Sequence, residues 1–306
     1  MLLPGAGGGL AADGGGGAVK QCCLIIDVAR CEGCNNCLLA CKDEHVGNQW
    51  AGYSAAQPLH GHRWINVVRH ERGQFPLIDV SYRPTPCMHC TDAPCAKTSG
   101  GAITRRSDGV VLIDMVKAYG RRDLVDACPY GAIFWNEESQ LPQKCTLCAH
   151  LLDQGWKAPR CVQACPTGAL RFQRLEAAEM ADLAAARKLR CLHSELGTSP
   201  RVYYANLDCF DRCFIAGSVA VHRNGRDECV DGVRVVLLRA GSRCAEMTTD
   251  AFGDFKFDGL EPMSAGYEIQ VHADEQLCVA QAVPQLEKSL TLGTLWLAPM
   301  TSEESG

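Results

Sequence analysis

The chain has 306 residues, 47% apolar and 21% charged, proportions that suit one large or two ordinary globular domains. A formal net charge of -5 offers no basic face for nucleic acid, and no apolar run is long enough to cross a bilayer as a helix. Cysteine is the outlier: twenty residues, which means disulfides in an oxidising compartment or thiolates on metal in a reducing one.

Residues 1–20, MLLPGAGGGLAADGGGGAVK, read as a disordered glycine-rich tail. They lack a basic start, a sustained apolar stretch and a twin-arginine pair, so the expected location is cytoplasmic unless a partner carries an export signal for both chains. CCLIIDV, from Cys22, predicts a strand whose two cysteines are packing residues. Cys31, Cys34, Cys37 and Cys41 follow with C-x2-C-x2-C-x3-C spacing, then Cys87, Cys90 and Cys95 in PTPCMHCTDAPC, then Cys128 before Pro129. A last group holds Cys145 and Cys148, a twelve-residue insert expected to be a loop, and Cys161 and Cys165 before Pro166. LEAAEMADLAAARKLR, Leu175 to Arg190, predicts a helix. Short alternating runs come next: Phe214–Val221, Gly232–Arg239, Asp254–Phe257, Tyr267–His272, Leu277–Val283 and Thr291–Leu297. Punctuated by Gly, Asn, Asp and Pro, they predict a small antiparallel β-sandwich. The expected division is 1–20 tail, 21–196 ferredoxin-type cluster domain, 197–299 β-sandwich and 300–306 tail, an α+β chain.

The first cysteine group is the bacterial ferredoxin run, in which three closely spaced thiolates hold one cubane and the fourth reaches a second. Applied here, Cys31, Cys34 and Cys37 take Cys165 as fourth ligand, and Cys145, Cys148 and Cys161 take Cys41. In the middle groups the same count finds Ser99 where a fourth cysteine would follow Cys95, and Ala118, Arg121 and Leu124 where three would precede Cys128. Those four positions would all have served one cluster. Cys87, Cys90, Cys95 and Cys128 would all serve the other. A four-cluster plan has therefore lost one cluster whole, and three 4Fe–4S clusters on twelve cysteines are expected. A zinc-stabilised interaction module would account for the C-x2-C pairs, but not for the first run or the coordinated loss.

The other cysteines, Cys22, Cys23, Cys191, Cys209, Cys213, Cys229, Cys244 and Cys278, read as free thiols. His60, His62 and His89 are expected around the clusters or facing a partner, not as ligands. No motif in the chain needs a general acid, base or nucleophile, so no catalytic residue is expected.

The four-group layout with its repeated Cys-Pro resembles the electron-transfer subunit of the dimethyl sulfoxide reductase superfamily of molybdopterin enzymes. GHRWINVVRHERG, RPTPCMHC, ACPYGAIFWNEE, KCTLCAHLLD and LGTSPRVYY resemble more narrowly the small-subunit family of pyrogallol–phloroglucinol transhydroxylase and the catechol dehydroxylases of anaerobic bacteria. TTDAFGDFKFDGL with GYEIQV resembles transthyretin-like or carboxypeptidase-regulatory-like sandwich modules. The resemblance implies a heterodimer. Its large subunit carries molybdenum or tungsten on a bis-pterin guanine dinucleotide and does the chemistry, while this chain exchanges electrons with that metal or an external donor. A respiratory dimethyl sulfoxide or polysulfide reductase-like complex is the alternative; its subunits usually keep four clusters and dock a membrane anchor.

Overall fold

A computed structural model describes residues 19–273 and 276–298, so the expected tails lie outside the described residues except for positions 19 and 20. Strand β1 (Gln21–Asp27) alternates between two buried faces. Cys22, Leu24 and Ile26 enter a large core with Trp64, Met88 and Tyr204, while Cys23 and Ile25 meet Met180 on the other side. A strand buried on both faces belongs in the middle of a sheet, and β1 lies there.

Helix α1 (Asn36–His45) carries Cys37 and Cys41 one turn apart. Strands β2 (Ile65–Gln74) and β3 (Leu77–Pro86) pair antiparallel along their whole length. Helix α2 (Pro94–Thr98) starts on a proline, whose missing N–H is no loss in a first turn. Two small hairpins follow, β4 (Ile103–Arg105) with β5 (Val111–Ile113), and β6 (Phe134–Asn136) with β7 (Leu141–Gln143). The insert between Cys148 and Cys161, expected as a loop, begins as helix α3 (Ala149–Asp153) and ends in helix α4 (Arg160–Gln163).

Strand β8 (Leu170–Leu175) runs antiparallel to β1. Helix α5 (Ala177–Ala186) is shorter than the predicted span because Leu175 still belongs to β8; Glu176 and Glu179 close a capping box at its start. Strand β9 (Val202–Ala205) pairs in parallel with the other edge of β1. Tyr204 is fully buried there, and its hydroxyl donates to the Pro84 carbonyl at 3.1 Å. Residues beyond the expected boundary at Gly197 thus pack into the first core, up to Leu207 beside helix α6 (Asp208–Asp211).

After α6 the regular elements of the described residues are all strands: β10 (Cys213–Arg223), β11 (Arg226–Cys229), β12 (Arg234–Arg239), β13 (Ser242–Thr248), β14 (Asp254–Leu260), β15 (Ser264–Ala273), β16 (Gln276–Leu286) and β17 (Leu290–Leu297). They form two four-stranded sheets, one of β11, β10, β14 and β17, the other in the order β13-β12-β15-β16. Ile215, Val219, Phe255 and Leu295 from the first share a core with Val235, Leu237, Ile269 and Val271 from the second. One pairing departs from the antiparallel expectation: β17 runs parallel to β10. The Asp250 carboxylate accepts from the N–H groups of Phe252 and Asp254, shaping the turn into β14. Gly253 in that turn has φ +77, and a Cβ there would lie 2.5 Å from the Val219 carbonyl.

Arg72 joins the two parts. Its side chain, 3% exposed, forms a two-point pair with Asp258 on β14 at 2.9 and 3.0 Å and bonds Asp79 on β3 at 2.7 Å. It also donates to the Arg212 carbonyl at 3.0 Å, so hairpin, connector and second sheet pair meet on one guanidinium.

Candidate iron–sulfur ligand sets

Wrapping several sulfurs round one centre needs backbone that turns back on itself, and the cysteine loops do this with left-handed residues. Gly33 and Asn35 in the first loop, His89 in CMHC, and Leu147 and Cys148 in KCTLC all have positive φ. A Cβ on Gly33 would lie 2.6 Å from the Tyr82 ring, so only glycine fits. The non-glycine cases carry about 1–2 kcal/mol of strain each, which their surroundings must offset. The two Cys-Pro-x-Gly segments repeat one turn: the N–H of Gly131 donates to the Cys128 carbonyl at 3.0 Å, and that of Gly168 to Cys165 at 3.3 Å. The Leu147 N–H also points at the Cys145 sulfur, at 3.3 Å.

All twenty cysteines are free of disulfides. Twelve of them gather in three neighbourhoods. Burial pushes the Cys37 thiol up to about 11, and the thiols within electrostatic reach of it are Cys31, Cys34 and Cys165. Burial raises Cys41 and Cys161 well above the usual range and Cys148 to about 12; Cys161 has Cys148, Cys145 and Cys41 as neighbours. Cys90 is pushed up to about 12 by burial, with Cys87, Cys128 and Cys95 beside it, and Cys95 to about 11 by the same cause. Cys165 moves the other way. Burial raises it, but N–H groups of Leu170, Ala169 and Thr167 and the Thr167 hydroxyl outweigh that and leave it lowered.

The neighbourhoods adjoin one another. Cys161 feels Cys37 of the first, and Cys145 feels Cys87 of the third. Cys34 is exposed, so the first set lies nearest the surface, whereas Cys87, Cys90 and Cys95 are buried. Among the described residues no three His, Cys, Asp or Glu side chains converge tightly enough for a single metal ion. Tetrahedral zinc, with Zn–S about 2.3 Å, draws its sulfurs to about 3.8 Å from one another. A cubane holds its cysteine sulfurs farther apart, around the outside of a cage. Buried thiols with little opposing charge ionise when positive iron is bound among them, so this donor set fits iron–sulfur clusters.

The four cysteine-less positions also come together, and protein fills them. Ser99, Ala118 and Leu124 are buried. The Ser99 hydroxyl donates to the Ala96 carbonyl at 2.9 Å and accepts from the Ile103 N–H at 3.0 Å. The Arg121 guanidinium donates to the Ser99 carbonyl at 3.3 Å and pairs with Asp123.

Among the histidines, His60 is exposed, while His62 is buried with its Nε2 2.8 Å from the Trp135 carbonyl. His89 is buried; its Nδ1 accepts from the Val111 N–H at 3.0 Å, so burial and the nearby Lys144 charge keep it neutral with the hydrogen on Nε2. Sequence reasoning did not single out three further groups. His45 stands with Nε2 4.0 Å from the Cys148 sulfur, and burial pulls it down to about 3. His150 binds the Glu44 carboxylate at 2.9 Å and stacks on Trp50. Lys144 is buried beside Cys145. The available signal was adjacency: Lys144 precedes Cys145 and His150 lies two residues after Cys148.

Residues 78–175 match the family described as a 4Fe-4S dicluster domain. Over 91% of its length the chain is 43% identical to the pyrogallol hydroxytransferase small subunit of Pelobacter acidigallici, 100% of which is covered. It is 29% identical to the arsenate respiratory reductase iron–sulfur subunit of a Shewanella species, over 59% of this chain and 94% of that one. With the thiosulfate reductase electron transfer subunit of Salmonella typhi the identity is 30%, over 53% and 80%. The chain belongs to the iron–sulfur electron-transfer subunits of molybdoenzymes, in the family of the pyrogallol hydroxytransferase small subunit.

Proposed function

We propose that the chain holds three 4Fe–4S clusters as a fixed conductor for a molybdopterin catalytic partner. Cys31, Cys34, Cys37 and Cys165 hold the first, Cys41, Cys145, Cys148 and Cys161 the second, and Cys87, Cys90, Cys95 and Cys128 the third. The observation that carries this is the sorting of thiols: the cysteines nearest in charge to Cys37, to Cys161 and to Cys90 are in each case the other three of the same set. Each bound cluster supplies exchange of one electron. The chain's own task is to keep the sites in a row, exclude water from the inner two and supply the hydrogen bonds and charges around the sulfurs. No residue in it acts as acid, base or nucleophile.

The partner, in this reading, is a large chain with molybdenum or tungsten on a bis-pterin guanine dinucleotide, joined as a heterodimer and acting on a polyphenol by hydroxyl transfer or dehydroxylation. The similarity over 91% of the chain, against 59% and 53% for the arsenate and thiosulfate reductase relatives, favours this over a respiratory reductase. We read the two sheets after Arg212 as a transthyretin-like or carboxypeptidase-regulatory-like β-sandwich that covers and docks the partner. We also move the division between the parts from Gly197 to the connector after α6, since β9 completes the first sheet. Free thiols throughout suit a cytoplasmic site. Anaerobic co-purification with the large chain should give about twelve iron and twelve acid-labile sulfides per small chain. A colourless protein carrying zinc would refute the proposal.

A further inference from the structure

Lys144 is only 3% exposed, yet its ammonium has no carboxylate partner among the described residues. It is tied instead to two backbone oxygens, the carbonyl of Val111 and that of Cys145, the latter at 3.0 Å. Val111 is pinned on its amide side as well, because its N–H donates to His89 Nδ1 at 3.0 Å. A lysine that reaches water loses little by moving; this one is held in place by buried backbone. Its contacts set it between two thiol sets: the Cys145 carbonyl belongs to the second, and Val111 is bonded to His89, whose backbone N–H points at the Cys87 sulfur of the third at 3.5 Å. A buried cation without a counter-ion is unfavourable unless something negative lies nearby. Once ligated, the two clusters with their four thiolates each are the negative groups available.

We infer that Lys144 is a positioning residue for electron flow: a fixed positive charge between the second and third clusters that favours their reduced states. The inference rests on the ligand sets proposed above. One-electron reduction of a bound cluster by a donor of the dithionite class adds one negative charge and no proton. A nearby positive charge therefore stabilises the product more than the reactant. In a protein interior, where unit charges interact through an effective dielectric of about 20, a nearby fixed charge alters such an equilibrium on the order of tenfold.

The test is an EPR-monitored redox titration of the anaerobic complex, with iron counted in the same samples. Lys144→Met should lower the ratio of reduced to oxidised third cluster roughly tenfold at a given potential, a downward shift of about 59 mV for a one-electron couple. The second cluster should shift in the same direction, and Lys144→Arg should restore most of the wild-type value. Removing an exposed charge in the turn between β16 and β17, Lys288→Met, should leave all three potentials unchanged. Lys144→Gln keeps an N–H donor for the Val111 carbonyl and serves if the Met variant fails to assemble. Loss of iron in both neutral variants with retention in the Arg variant also supports a role for the charge. Unchanged potentials in a neutral variant with full iron would overturn the inference, as would loss of iron in all three. An iron count below three clusters in the wild type would instead strike the ligand sets.

Discussion

Replacing Arg72 by alanine should loosen the strand-rich half from the cluster half without touching a ligand. The guanidinium makes a two-point pair with Asp258, a bond to Asp79 and one to the Arg212 carbonyl. Removing one partner of a fully buried pair costs about 3–5 kcal/mol. Here the abandoned carboxylates keep 36% and 41% side-chain exposure, so water can take them back and the charge part shrinks. The stranded carbonyl and the lost packing over Phe214, 5.4 Å from the guanidinium, remain. The sum is about 2–4 kcal/mol, or a fall of roughly 3–6 °C in melting temperature for a chain of this size.

The pH dependence has a definite sign. Burial raises the Asp258 carboxyl, but Arg72 and the Gly259 N–H outweigh that and hold it below the ordinary range. Its contribution is complete above the unfolded carboxylate range and is lost as pH falls through the folded value. The gap between wild type and Arg72→Ala should therefore narrow in acid. Hydrogen exchange should speed up at Asp208–Arg212 and in β14 while β1 stays protected. Melting within a degree of wild type, with unchanged exchange at the connector, would refute the clamp.

Cys128→Ser should remove the third cluster alone, lowering iron by about four atoms per chain while the spectra of the other two persist. Gly33→Ala meets both a φ of +69 and the Tyr82 ring; it should cost about 1–3 kcal/mol and reduce occupancy of the first cluster, read as iron content and melting temperature. Ending the chain after Arg212 should weaken association with the catalytic subunit and leave iron largely in place. Ending it at Gly197 should also lose iron, because β9 and the buried Tyr204 go with it; analytical ultracentrifugation and iron assay of the two truncations separate these outcomes.

The proposed ligand sets rest on local information: spacing suggests which thiols can curl round one cage, and Ser99, Ala118, Arg121 and Leu124 stand where a fourth cage would need cysteines. Strands with one apolar face are legible for the same reason, and β10, β12 and β15 fall close to their predicted spans. Strand β11 is not, since RDEC is exposed throughout and holds its place by pairing with β10, and β13 shows only Ala245 and Met247 half-buried against the core. Beyond the boundary expected at Gly197, Val202 finds its partner at Leu24, a pairing that no local pattern announces. Arg72 and Lys144 look like ordinary basic residues in the sequence. Only the folded chain shows the one spanning to Asp258 and the other shut between two thiol sets.

Mössbauer spectroscopy of the iron-enriched, anaerobically purified complex tests the central claim most directly, because it counts cubane iron without assuming which cysteines bind it. All the iron should appear as cubane sites equal to three per small chain, after subtraction of any contributed by the large chain measured alone. Two cubanes, or four, or iron in mononuclear sites would contradict the account.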